Sequence, residues 1–165
     1  MYTTVAEFVD EWKRESAASL KVLRVLTDAS LAQSIDAESR SLGRLAWHLV
    51  MLAGGTGGML GLDVGGPARG TPAPTSAAAI AADYERVANA VAEQAAAKLT
   101  DAGLAQEIPY FGGRMLPRAR IMGSLILHQC HHRGQMTVLV RQAGLVPPGI
   151  YGPTREEEAA RAKQA

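Results

Sequence analysis

Two histidines spaced four residues apart are the first residues in this sequence that could do chemistry. His128 and His132 lie in the segment LILHQCHHRGQM, and the chain has only four histidines. On a helix, residues i and i+4 project from the same face, one turn apart. Helical metal sites use this spacing because both imidazoles can then reach one ion. The pair is therefore a candidate metal site.

The two histidines fall within an apolar stripe, which predicts that they point into the protein. In steps of three and four the stripe follows Ile121, Leu125, His128, His132, Met136, Leu139 and Ala143. His131 is rotated off this line and is a weaker candidate ligand. A third imidazole, that of His48, lies on the same side of its own predicted helix as Leu45 and Leu52.

Three inward imidazoles favour a metal site. Each buried ring nitrogen without a partner would cost on the order of 1–3 kcal/mol, and a single ion could satisfy three of them. The alternative is that the three histidines are ordinary core residues with hydrogen-bond partners.

A site made of three histidines would be chemically open. Structural zinc sites are usually closed by four protein ligands. Here Cys130 lies between the two helical histidines and points elsewhere on a helix. Open coordination positions are what metal-assisted chemistry needs, since they can take water or a substrate atom. All-imidazole ligation suits zinc, nickel, copper or iron, and the residues do not choose among them.

Four segments with helical periodicity must position these residues. The spacing of apolar residues predicts helices over about 4–29, from near Ser39, over 76–99 and over 117–143. The glycines after Ala53 are expected to loosen or end the second helix. The glycine- and proline-rich segment 61–75 is expected to be a long loop across the end of the bundle.

Two further elements are predicted outside the long helices. Residues 108–118, with Gly112-Gly113 at their centre, favour a small hairpin or an extended loop. Thr154 and Glu157 have the spacing of a capping box. We therefore predict an all-α protein: one four-helix bundle over 1–153, with a long crossover loop and a small hairpin before the last bundle helix. A charged tail or short helix follows over 154–165.

Composition narrows the function. The net charge is +1 and aromatic residues make up 5% of the chain, so neither nucleic acid nor a membrane surface is an expected partner. No segment has the apolar length of a membrane span, and the N-terminus lacks the apolar core of a signal peptide. With one cysteine the chain can form no internal disulfide, which fits a cytoplasmic location.

The string HQCHHRGQMTVLVRQAGLVPPGIYGP and the upstream segment LGRLAWHLV resemble the DinB-like family. The resemblance extends over about 1–155. It implies an up-and-down-type four-helix bundle with a long crossover, often homodimeric, with one divalent ion, nickel or zinc, held by His48, His128 and His132. Some family members resemble thiol-dependent transferases that use low-molecular-weight thiols such as mycothiol or bacillithiol.

The residues beside the histidines receive weaker interpretations. Gln135 is expected to be an ordinary polar flank rather than a partner that orients a histidine. Gly134 could allow a close backbone contact. Arg133 is expected at the surface or in a dimer contact, and no inward-facing carboxylate can be named from the pattern.

Three hypotheses for function follow. The first is a metal-dependent enzyme of the thiol S-transferase or hydrolase type acting on a small molecule. Thiol transfer is favoured over hydrolysis because a metal-bound thiol is deprotonated without a protein base. The second is a non-catalytic metal-binding protein or stress-linked sensor, and the third is a helical bundle whose histidines are only core residues.

Overall fold

Four long helices make up most of the fold. A computed structural model describes residues 2–164, so Met1 and Ala165 lie outside the description. The main elements in chain order are α1 (Val5–Arg24), α2 (Leu42–Met59), α3 (Ala77–Lys98), β1 (Glu107–Pro109), β2 (Met115–Pro117), α4 (Arg118–Gln142) and α5 (Arg155–Ala162). Short 3-10 helices lie at Ala29–Ala32, Asp101–Ala105 and Phe111–Gly113. The predicted all-α four-helix bundle is confirmed.

The four long helices pack in a ring. Helix α1 contacts α3 and α4, and helix α2 contacts the same two neighbours. The connections from α1 to α2 and from α3 to α4 therefore join helices that lie diagonally across the bundle. This arrangement places α2 directly beside α4, which are the two helices that carry the three candidate histidines.

Apolar side chains on the inner faces of the helices form one continuous core. Phe8, Trp12, Leu49, Tyr84 and Met136 are all completely buried, and together they represent every long helix. Trp12 and Tyr84 can be buried because their polar atoms have partners. The Trp12 Nε1–H donates to the Ala88 carbonyl oxygen at 2.8 Å, and the Tyr84 hydroxyl donates to Gln129 Oε1 at 2.6 Å.

Helix α2 is longer than its glycines predict. The expectation that the glycines after Ala53 would loosen or end the helix is wrong, because the helix continues to Met59. The glycines serve packing instead. A Cβ atom added at Gly57 would lie 2.9 Å from Val64, and one added at Gly66 would lie 2.6 Å from the Gly54 Cα. The returning segment 62–66 thus packs directly on the helix backbone, and this contact compensates for glycine's low helix propensity.

The predicted hairpin is present between α3 and α4. Strands β1 and β2 are antiparallel, with Ile108 opposite Leu116. Gly112 and Gly113 both have positive φ angles, of 69° and 73°, which glycine adopts without steric cost. The Tyr110 hydroxyl lies 3.1 Å from Ser124 Oγ and ties the hairpin to α4.

The C-terminal segment folds back onto the bundle. Gly144 has φ 76° directly after the C-cap of α4, as a C′ glycine should. The predicted capping box of Thr154 and Glu157 is confirmed at the start of α5. An ion pair of 2.6 Å between Arg141 and Glu156 joins α5 to α4. None of the helices within residues 2–164 combines the length and apolar character needed to cross a membrane.

Candidate metal centre

The three candidate histidines meet between two neighbouring helices. His48 lies in the middle of α2, and His128 and His132 lie one turn apart on α4. The Nε2 atoms of His48 and His128 are 3.4 Å apart. One ring nitrogen from each of the three residues lies within 4.8 Å of the others. The three imidazoles, which we call the triad, are therefore close enough to bind one metal ion.

The His132 ring is held in the orientation that a metal ligand needs. Its Nδ1 lies 2.7 Å from Gln135 Oε1. An amide oxygen only accepts hydrogen bonds, so Nδ1 carries the proton and Nε2 keeps its lone pair. The Nε2 atom is buried and has no hydrogen-bond partner among the described residues. A buried acceptor without a partner is costly unless it binds something.

Gln135 is therefore a partner of the triad and not an ordinary polar flank. The amide fixes the tautomer of a candidate ligand, as carbonyl and carboxylate groups often do around metal-binding histidines. Its position was visible in the sequence, because residues three apart on a helix can contact each other. The orientation of its amide was not.

The triad is electrically neutral at ordinary pH. Burial and neighbouring positive charges that include Arg40 together lower the pKa of His48 from 6.5 to about 4, and burial is the largest cause. The same kinds of causes lower the pKa of His128. Burial also lowers the pKa of His132, although the hydrogen bond that its Nδ1 donates to Gln135 opposes this shift. Neutral imidazoles are the form that binds metal ions, so protons compete weakly for this site.

Two cavities border the triad. The cavity of about 440 Å³ that His132 and Gln135 line is called here the His132 cavity. The cavity of about 320 Å³ that His48 and Trp47 line is called the His48 cavity. Arg40 lines both. Another cavity, of about 390 Å³, lies between α1 and α3 and includes no triad residue.

His131 and Gly134 take no part in the triad. His131 is exposed and lines the His132 cavity, in keeping with its weaker standing as a ligand. A close backbone contact at Gly134 is not present, because a Cβ added there would meet no described atom within 4 Å.

Arg133 was expected at the surface or in a dimer contact, but it is buried. Its side chain is 2% exposed and pairs with Glu15 at 2.5 Å. Glu15 is also the inward carboxylate that the sequence pattern did not reveal. Burial raises the pKa of Glu15, but hydrogen bonds from Tyr151 and Arg133 outweigh burial and lower it overall.

The cluster of Glu15, Arg133, Tyr151 and Cys130 lies on another side of α4 from the triad. The Tyr151 hydroxyl donates to Glu15 Oε2 at 2.6 Å, and Cys130 Sγ lies 3.3 Å from the same oxygen. The cluster joins α1, α4 and the C-terminal segment. Because the Glu15 carboxylate is fully engaged there, it is not a base for chemistry at the triad.

The fold and the triad together define a class of protein: a four-helix bundle in which three imidazoles lie close enough to bind one metal ion. The chain belongs to the DinB family, whose sequence model matches residues 1–164. Among curated proteins, the uncharacterised protein YrdA of Bacillus subtilis strain 168 is 44% identical over 159 residues, which cover 96% of this chain and 95% of YrdA.

Solved structures show the same fold. A DinB-like protein from Bacillus cereus ATCC 10987 is 43% identical and matches with a TM-score of 0.86, covering 92% of this chain and 100% of its own. A DinB-like protein from Bacillus subtilis, YjoA, matches with a TM-score of 0.68 at 18% identity, covering 90% of this chain and 99% of its own. This second likeness supports the fold alone.

Proposed function

We propose that this protein is a metal-dependent enzyme of the thiol S-transferase type, with one divalent ion held by His48, His128 and His132. Nickel or zinc is the expected metal. The observation that carries the proposal is the buried Nε2 of His132, which has no partner among the described residues and whose ring is oriented by Gln135. Burying that nitrogen unpartnered would be costly, and an ion supplies the partner it lacks.

The donor set fits a catalytic site better than a structural one. Three neutral imidazoles suit nickel and zinc and leave coordination positions free. A metal ion bound here would lower the pKa of a coordinated thiol so that the thiolate forms without a protein base. The chain's own contribution is to keep the imidazoles neutral, to fix the tautomer of His132 and to leave space for a small molecule in the two cavities beside the triad.

The absence of acids from the lining favours thiol transfer over hydrolysis. No carboxylate lines the His132 cavity or the His48 cavity within residues 2–164. A hydrolase of this kind would gain from a general base near the reacting water. The inward carboxylate, Glu15, is engaged with Arg133 and Tyr151 on another side of α4.

Metal content is the first test. Untagged protein would be reconstituted with nickel and with zinc, dialysed, and measured by elemental analysis. We expect about one ion per chain, little in His48→Ala and His128→Ala, and full content in His131→Ala, the matched control with an exposed histidine. If the parent takes up neither metal, the proposal is wrong.

Thiol transfer is tested on protein that has passed the metal test. In the assay a thiol displaces halide from an activated chloroarene: the S–C bond forms, the C–Cl bond breaks, chloride leaves and the thiol proton passes to buffer. We expect faster turnover by the loaded protein than by the apoprotein. A loaded protein that accelerates neither this nor other thiol transfers would be a non-catalytic metal-binding or sensor protein.

A further inference from the structure

One arginine borders both cavities beside the triad. Arg40 lines the His132 cavity together with His132 and Gln135, and it lines the His48 cavity together with His48 and Arg44. A molecule that entered either cavity and reached the triad would therefore pass the same guanidinium group. No other residue lines both cavities.

The charge of Arg40 is not neutralised by the protein. Other arginines of the chain pair with acids, such as Arg24 with Glu85 and Arg141 with Glu156. Within residues 2–164 no acidic side chain forms an ion pair with Arg40. Its side chain is exposed, so the guanidinium is free to bind an anion from solution.

The two acids nearest to Arg40 in sequence, Glu38 and Asp36, form no ion pair with it, and neither lines the His132 cavity or the His48 cavity. Asp36 accepts hydrogen bonds from the backbone N–H groups of Glu38 and Ser39, at 3.0 Å and 2.7 Å. This turn precedes Arg40, which lies directly before Ser41, the N-cap of α2. The first turn of α2 has no acidic residue, although acids are favoured at that end of a helix. Within residues 2–164, therefore, no acidic side chain lines either cavity to offset the charge of Arg40 there.

We propose that Arg40 determines specificity by binding the carboxylate of a small thiol whose sulfur binds at the triad. This inference rests on the proposed function and adds the class of ligand: an anionic thiol rather than a neutral one. The planar guanidinium can donate two parallel hydrogen bonds to a carboxylate, a geometry that a lysine ammonium does not reproduce. Arg40 holds one end of the ligand in place, and the transferred atom is at the other end.

A matched pair of thiols tests the proposal on nickel-loaded protein. 3-Mercaptopropionate and 3-mercapto-1-propanol share the thiol and differ in the carboxylate. Binding is measured by calorimetry, a readout that requires no turnover. The variants are Arg40→Gln, Arg40→Lys and, as a control that removes one exposed charge from α5, Arg161→Gln. Metal content is measured for each before any thiol is added.

The informative quantity is the ratio of the two dissociation constants in each variant. The carboxylate can also touch the metal, but that contribution is present in every variant and cancels in the comparison. We expect Arg40→Gln to reduce the preference for 3-mercaptopropionate by about fivefold, as for an exposed charge pair, and Arg40→Lys to reduce it less. Arg161→Gln should leave it unchanged, and added salt should weaken the preference in the parent.

The outcomes separate this inference from the proposed function. If metal-loaded Arg40→Gln has the same ratio of dissociation constants as the parent, Arg40 does not bind the carboxylate. The inference is then overturned, while the metal site stands. If the parent takes up no metal, both the proposed function and the inference are overturned, and this is known before thiol is added. Thermal unfolding of each variant confirms that the exposed substitution leaves the fold intact.

Discussion

Substitution of Gln135 should change metal affinity in a direction that depends on the replacement. The residue contributes one hydrogen bond of 2.7 Å to Nδ1 of His132 and does not itself belong to the triad. Leucine at this position removes the acceptor, so that the imidazole can turn or place its proton on Nε2, the atom that faces the triad. Glutamate supplies a charged acceptor in nearly the same place, which raises the basicity of the ligand nitrogen.

The size of the effect follows from the exposure of the contact. Loss of a partner that orients a metal ligand usually costs about 10- to 100-fold in affinity. Gln135 is exposed, so water can replace part of the lost hydrogen bond. We therefore expect the lower end, about 10-fold or about 1.4 kcal/mol, for Gln135→Leu, and tighter binding than in the parent for Gln135→Glu.

The assay is competition between the apoprotein and a chromogenic zinc chelator of known affinity. Gln142→Leu is the matched control, since Gln142 is also an exposed glutamine on α4 but lines neither triad cavity. Equal zinc affinity in the parent, Gln135→Leu and Gln135→Glu would refute the reasoning from the tautomer of His132.

Three other predictions concern stability and assembly. The pKa of His48 is lowered from 6.5 to about 4 in the folded protein, so the unfolded chain binds more protons between these two pH values. Urea titrations of the apoprotein should therefore show that the free energy of unfolding falls as the pH falls from about 6.5 to about 4. The fall should be less steep in His48→Gln. Arg133→Met leaves the Glu15 carboxylate buried without its partner, so denaturant titrations should show a loss of about 3–5 kcal/mol, largely recovered when Glu15→Leu is added. The family resemblance implies a homodimer, and Leu127 and Val138, which are 72% and 53% exposed on one face of α4, are the expected contact. Light scattering should therefore give twice the chain mass for the parent protein and the mass of a single chain for Leu127→Asp.

Each of these predictions has an outcome that contradicts it. A pH dependence that is identical with and without the His48 imidazole would show that this residue titrates normally. A loss below 1 kcal/mol in Arg133→Met would mean that water reaches the ion pair. A Leu127→Asp protein that keeps the mass of the parent dimer would place the interface elsewhere.

The sequence predicts the bundle and the meeting of the histidines because both depend on local periodicity. The apolar stripes indicate which face of each helix is buried, and the four-residue spacing of His128 and His132 places them on such a face. His48 follows the same rule on its own helix. The boundaries of α4 differ from the prediction by one residue at each end.

Longer-range pairing could not be predicted in the same way. Arg133 and Glu15 are 118 residues apart in sequence, and each by itself has the pattern of a surface residue. Their burial depends on each other and on Tyr151, so it becomes visible only when α1, α4 and the C-terminal segment are brought together. The glycines of α2 illustrate the same limit, because the segment that packs on them arrives only after the helix has ended.

A metal ion shared between α2 and α4 would also act as a cross-link. His48 and His128 are 80 residues apart in the chain, so the ion would close a loop that contains all of α3. The chain-entropy model gives about 4.5 kcal/mol for closing a loop of this length. A chain with one cysteine has no disulfide that could do the same within one molecule. The protein's resistance to unfolding and proteolysis would then rise and fall with the supply of metal in the cell.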